Sequence, residues 1–182
     1  MTLDKLLAEF YKKNGIDENG GINDDIFNIK VLGINLKLPN LKFRKDMIHI
    51  NDIHHILNKC NTTCKGAAYI AGWEISTGFW KYFPSCILSL WTMGYSFWLY
   101  PKSILKGFEK RLNDIGILDL KISESELMKM EYDHLINITT KKKNIQIGVV
   151  QWVQFLLWLV ISQIIFLFPL ILIITITLSL KK

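Results

Sequence analysis

Apolar and polar positions along this chain follow a helical rhythm over most of its length and lose all rhythm at its end. Leu3, Leu6, Leu7 and Phe10 fall at i, i+3, i+4 and i+7, which predicts one apolar stripe on a first helix, with Asn14–Gly15 as its stop. Residues 15–25 are a run of Gly, Asn and Asp and predict a loop. Residues 26–41 are apolar but broken by Gly33 and Pro39, the pattern of an extended segment or one short hairpin. Asp46 is placed to cap a second helix reaching about Asn58, with Ile50, Ile53 and Leu57 on its buried side. A turn over 59–65 then leads to a third helix from about Gly66 to Tyr82.

Pro84 to Tyr100 holds no charge, and as a helix it would be about 25 Å long, short of a hydrocarbon core of about 30 Å. It therefore reads as a buried core helix in preference to a membrane span. Ser103–Gly116 predicts an amphipathic helix, with Ile104, Leu105, Phe108 and Leu112 on one side and Lys106, Lys110 and Arg111 around the other. Ser123 and Glu126 have the spacing of a capping box, flanked by Ile122 and Leu127 as a hydrophobic staple, and open a helix running to about Asn137.

The last segment, 144–180, has no charged side chain at all. One helix of that length would be about 55 Å long, more than one span needs and less than two full spans require. Two arrangements follow. In one, 145–156 lies at the interface through Gln151, Trp152 and Gln154 while 157–179 crosses; in the other, a hairpin turns near Ser162–Gln163 or at Pro169. The expected organisation is an all-α chain: a helical bundle head over 1–140 and transmembrane or membrane-hairpin helices in the apolar segment 144–180. The expected location is a membrane.

Charge sharpens this division. All 16 acidic residues precede residue 134, and the net charge is +6. The run Lys141–Lys142–Lys143 directly precedes the apolar segment, where it reads as a membrane-surface anchor. No nucleic-acid recognition motif is present, so no nucleic-acid partner is expected. Three cysteines, an odd number, and no export signal argue against a secreted disulfide scaffold. Nucleotide-binding loops and nucleophile elbows are absent.

Candidate chemistry concentrates in 46–78, where His49, His54 and His55 surround Asp52. On a helix Asp52 and His55 are i and i+3, and Asn51 and His55 are i and i+4, so each pair shares a face that can present ligands to one ion. Cys60 and Cys64 have C-x3-C spacing, which is not the C-x2-C knuckle of a structural zinc site; small buried thiols are the plainer reading.

The run Asp52–Ile53–His54–His55, followed by Thr62, Gly66 and Trp73–Glu74, resembles the ubiquinone (coenzyme Q) biosynthesis protein 4 family. Phe10–Tyr11, Asn14–Gly15, Gly20–Gly21, Pro39–Asn40 and Tyr100–Pro101 fit the same likeness, which covers about 6–135. That family's H-D-x-x-H-x11-E core falls on Asn51, Asp52, His55 and Ala67. The resemblance implies a divalent metal such as zinc at Asn51, Asp52 and His55, although Ala67 offers no donor. If the second and third helices pack antiparallel, His49 and Glu74 become alternative ligands around Asp52. The resemblance further implies a membrane-associated protein that binds a quinone-like or polyprenyl lipid and assists modification of its head group, with membrane lipid and other quinone-pathway proteins as partners. Two further functions fit the residues: a metal-dependent enzyme on the quinone-precursor ring, and a degenerate membrane scaffold without catalysis.

Overall fold

A computed structural model describes residues 1–31, 34–110, 114–141 and 147–179. They fall into two compact units, each built from two stretches of chain: Met1–Lys59 with Ile122–Asn137, and Cys60–Lys121 with Ile138–Lys182. Helix predominates, as the periodicity predicts.

In the first unit, α1 (Leu3–Asn14) buries Leu3, Leu7 and Tyr11 and ends on Gly15, whose φ of 64° turns its N–H back to the Tyr11 carbonyl. Strands β1 (Ile26–Val31) and β2 (Ile34–Pro39) form the antiparallel hairpin, with Ile26 opposite Pro39; Gly33 lies outside the described residues. A single turn, α2 (Lys42–Lys45), precedes α3 (Ile48–Leu57), which buries Ile50, Ile53 and Leu57. Asp46 does not cap α3. Its backbone is already helical and its N–H bonds to the Lys42 carbonyl, so it closes α2, and Met47 begins α3 instead.

The capping box of α7 (Glu124–Lys129) is complete, with Ser123 and Glu126 exchanging hydrogen bonds. The helix stops at Met130, however, and not at Asn137. The Leu3 N–H, an orphan donor at the start of α1, bonds to the Met130 carbonyl at 2.9 Å, and the Tyr132 N–H bonds to the Met1 carbonyl at 3.0 Å. This small bridge between Thr2 and Glu131 holds the backbone extended, and helix resumes as α8 (Tyr132–Thr139).

In the second unit, Thr63 caps α4 (Cys64–Ser76) by accepting from the Gly66 N–H. The helix ends before Tyr82 because Gly78, at φ 95°, turns the chain into a 3-10 turn over Phe79–Lys81. Next come α5 (Cys86–Phe97) and α6 (Pro101–Lys110). α6 crosses α4 at glycines: a Cβ on Gly72 would meet the Ile104 carbonyl oxygen, and one on Gly107 that of Tyr69. Ile104 and Phe108 are buried and Leu105 is half-buried, whereas Arg111 and Leu112 lie outside the described residues. The expected extension to Gly116 is not helical, because Asp114 bridges Thr140 and the Ile115 N–H bonds the Thr139 carbonyl at 2.7 Å.

The apolar segment forms one continuous helix, α9 (Val149–Ser179), of 31 residues, in place of a hairpin. The two expected turning points are absorbed. The Ser162 hydroxyl donates to the Leu159 carbonyl within the helix, the Gln163 amide turns to α5, and Pro169 sits inside the helix. α9 is the one helix among the described residues that is long and apolar enough to cross a membrane; the qualifying stretch, Val149–Pro169, has 21 residues. α5 is a core helix on one face only, burying Cys86, Leu90 and Met93. It meets α9 where Gly94 lies against the Ser162 carbonyl and the Phe166 side chain. Filling that contact with Gly94→Leu is expected to lower stability by about 1–3 kcal/mol, the usual effect of overpacking, read by thermal unfolding in detergent.

Candidate functional site

The polar centre of the first unit is built by α1 and α3. Tyr11 lies on the inward stripe of α1, eight residues after Leu3, and a phenol on such a stripe needs a partner for its hydroxyl. That partner is Asp52 on α3: the Tyr11 hydroxyl donates to Asp52 Oδ2 at 2.9 Å. One turn earlier on α3, the His49 ring stands 6.4 Å from the Tyr11 ring, and its Nδ1 is 2.6 Å from Glu124 Oε1. The loop 15–25 closes over Tyr11 at Gly20. A Cβ there would stand 2.6 Å from the Tyr11 hydroxyl and 2.8 Å from Ile48, so only glycine fits this approach. Asn40 fixes the loop by donating to the carbonyls of Gly21 and Asp24, both at 2.9 Å. Arg44 donates to Asn40 at 2.7 Å and lies 3.9 Å over the Phe27 ring.

The electrostatics follow from burial. Burial pushes the Asp52 carboxyl up to about 6, against the opposing pull of the Tyr11 hydrogen bond and the charges of His49, Arg44 and His54. The Tyr11 phenol is held well above its ordinary value by burial and by the neighbouring carboxylate, so it remains a donor. Burial lowers Arg44, with Asp52 and Asp24 opposing. The centre therefore holds a carboxyl that changes charge near neutrality beside a locked phenol donor. Such a pair can accept from a hydroxyl through the other Asp52 oxygen or, with Asp52 protonated, donate to a carbonyl, and it can hold or release one proton.

Of the residues singled out from the sequence, Asp52 and His55 both turn to α1. Asp52 meets Tyr11, and the His55 ring, buried, lies 6.2 Å from that of Phe10. Asn51 is half-buried on α3. His54 is buried too. His49 and Asp52 belong to the first unit. Glu74 belongs to the second, where it is buried and accepts from the Ser89 hydroxyl at 2.5 Å. Cys60 is half-buried, Cys64 is exposed and Cys86 is buried, and none forms a disulfide. Sequence reasoning missed Tyr11 and Arg44 as neighbours of Asp52, and Glu124 as the partner of His49. The spacing Leu3–Leu7–Tyr11 is the one signal that points to the first of them.

A zinc-type centre needs about four donors on one ion. At position 67, where the resemblance places a ligand, Ala67 has no donor atom, and one Asp52 oxygen accepts from Tyr11. Among the described residues no three His, Cys, Asp or Glu side chains gather into a metal-holding group. No family model, characterised protein or solved structure matches this chain.

Proposed function

We propose that this is a membrane-attached lipid-binding protein of the coenzyme Q synthesis type. In this reading α9 holds the chain in the bilayer, and the Asp52–Tyr11 pair contacts the polar head group of a quinone-like or polyprenyl ligand. The observation that carries the reading is the character of α9. Its 31 residues hold no charge, and only 11% of the span-length window is buried. A soluble core helix of this composition would bury its apolar faces. The sequence likeness around Asp52–His55 supplies the class of lipid. The carboxyl titrating near 6, oriented by the Tyr11 hydroxyl, supplies an acceptor for a ring hydroxyl when charged and a donor to a ring carbonyl when protonated. The missing donor at Ala67 favours binding, or organising other quinone-pathway proteins, over metal-dependent catalysis.

Native mass spectrometry of the detergent-purified chain tests this by reading lipid and metal together. The expected result is a bound species of polyprenyl-quinone mass, weakened by Asp52→Leu, without stoichiometric metal. Stoichiometric metal that disappears in His55→Ala would replace this reading with the metal-dependent enzyme. A protein carrying neither lipid nor metal would leave only a scaffold.

A further inference from the structure

α9 is not the only apolar surface of the second unit. Between Lys81 and Lys102 no charged residue occurs, and this stretch carries α5. One face of α5 is core, but the ends of the stretch are open: Phe83 is 78% exposed, Trp98 67% and Leu99 44%. Large apolar side chains left uncovered in this number mark a contact surface.

The occupant follows from where α5 is attached. It packs on α9 within the span-length stretch Val149–Pro169, with Trp91 and Tyr95 meeting Phe166 at ring distances of 5.7 and 6.0 Å and Gly94 closing on the Ser162 carbonyl. Small residues at a helix crossing let backbones approach, as they do between helices in lipid. Gln163, the polar residue midway along α9, directs both ends of its amide to this partner. Its Nε2 donates to the Gly94 carbonyl at 2.9 Å, and its Oε1 accepts from Trp98 Nε1 at 3.1 Å. In hydrocarbon an amide needs such partners. A helix joined to α9 at these residues shares their depth in the bilayer.

We propose that the segment 82–101 enters the bilayer beside α9, with Phe83, Trp98 and Leu99 in contact with lipid. The twelve residues of α5 are about 18 Å long, too short to cross. The segment therefore dips in and returns on the side where Lys81 and Lys102 remain. The bilayer contact is then a paired platform, one long helix and one short. This inference rests on the reading of α9 as a membrane helix.

Nitroxide labels separate the two claims. In full-length protein reconstituted in phosphatidylcholine vesicles, with Cys60→Ser, Cys64→Ser and Cys86→Ala as background, single labels are placed through Phe83→Cys, Trp98→Cys and Leu99→Cys. Ile164→Cys on the exposed face of α9 and Lys102→Cys serve as references. Power saturation then compares access to oxygen and to a water-soluble nickel complex. The expected result is that labels at 83, 98 and 99 resemble the one at 164, with oxygen access several-fold above nickel access, and that the label at 102 shows the reverse. Nickel access at 83, 98 and 99 with oxygen access at 164 would overturn the platform and leave α9 in the membrane. Labels at 83, 98 and 99 shielded from both reagents would also overturn it, since they would then be covered by protein. Nickel access at 164 would overturn the membrane reading itself. Phe83→Cys and Leu99→Cys leave the Trp98–Gln163 bond intact, so a folding defect in Trp98→Cys does not decide the outcome.

Discussion

Asp52→Asn is expected to stabilise the protein at pH 7 and to leave it unchanged near pH 4. Burial raises the Asp52 carboxyl in the folded state to about 6, from an ordinary 3.8. Between those values the folded chain keeps a proton that the unfolded chain has released. Stability therefore falls as pH rises through this window, by about 1.4 kcal/mol per pH unit and about 3 kcal/mol in all, and the loss is complete above pH 6. Asparagine has the shape of the protonated acid, can still accept from the Tyr11 hydroxyl, and carries no charge to desolvate. Thermal unfolding of both proteins from pH 4 to 7 should show curves that coincide at the acid end and separate by several degrees at pH 7, with the variant higher. A variant less stable than the parent at pH 7 would mean that the carboxylate serves the fold. A chain that keeps a destabilising carboxyl at its polar centre fits a group retained for a ligand, which is the role given to Asp52 here.

Val160→Arg is expected to reduce membrane insertion about 100-fold. Val160 is 57% exposed and lies near the middle of the span-length stretch of α9. An arginine at the centre of a span raises the cost of insertion by about 2.5–3.5 kcal/mol, and each 1.4 kcal/mol is a factor of ten. The substitution touches no core contact of the second unit, whose buried members on α9 are Phe155 and Ser162. Flotation of freshly synthesised protein with liposomes reads the effect, with Val160→Leu as the control expected to float like the parent. Undiminished flotation of Val160→Arg would show that this face of α9 does not meet hydrocarbon.

How far the sequence discloses this molecule depends on whether a feature is local. The α1 stripe, its Gly15 stop, the hairpin over 26–39 and the Ser123–Glu126 capping box are set by neighbours within a few residues, and the structure has each of them. The failures come partly from the adjacent turn, as where α2 takes Asp46, and partly from contact at long range. The predicted helix beyond Ser123 breaks at Met130 because residues at the other end of the chain, Met1 and Leu3, take its backbone partners. Of the two arrangements open to the apolar segment, the hairpin is absent: Gln163 finds its partner on α5 and Ser162 within the helix. At the candidate site the same division holds. Asp52 and His55 do share a side, as i and i+3 positions must, and both face α1. Which side chain completes the pair was not legible, because Tyr11 lies forty-one positions away along the chain. Glycines mark the close approaches but do not say to what: Gly20 to Tyr11, Gly72 to Ile104 and Gly94 to Ser162 each needed coordinates.

The proposed membrane attachment through α9 underlies the lipid ligand, the paired platform and the Val160 result alike. Alkaline carbonate extraction of membranes from cells making the unaltered chain tests it most directly, because that treatment strips proteins held only at the surface. The chain should stay in the pellet and leave it only with detergent; release into the carbonate supernatant would contradict the account.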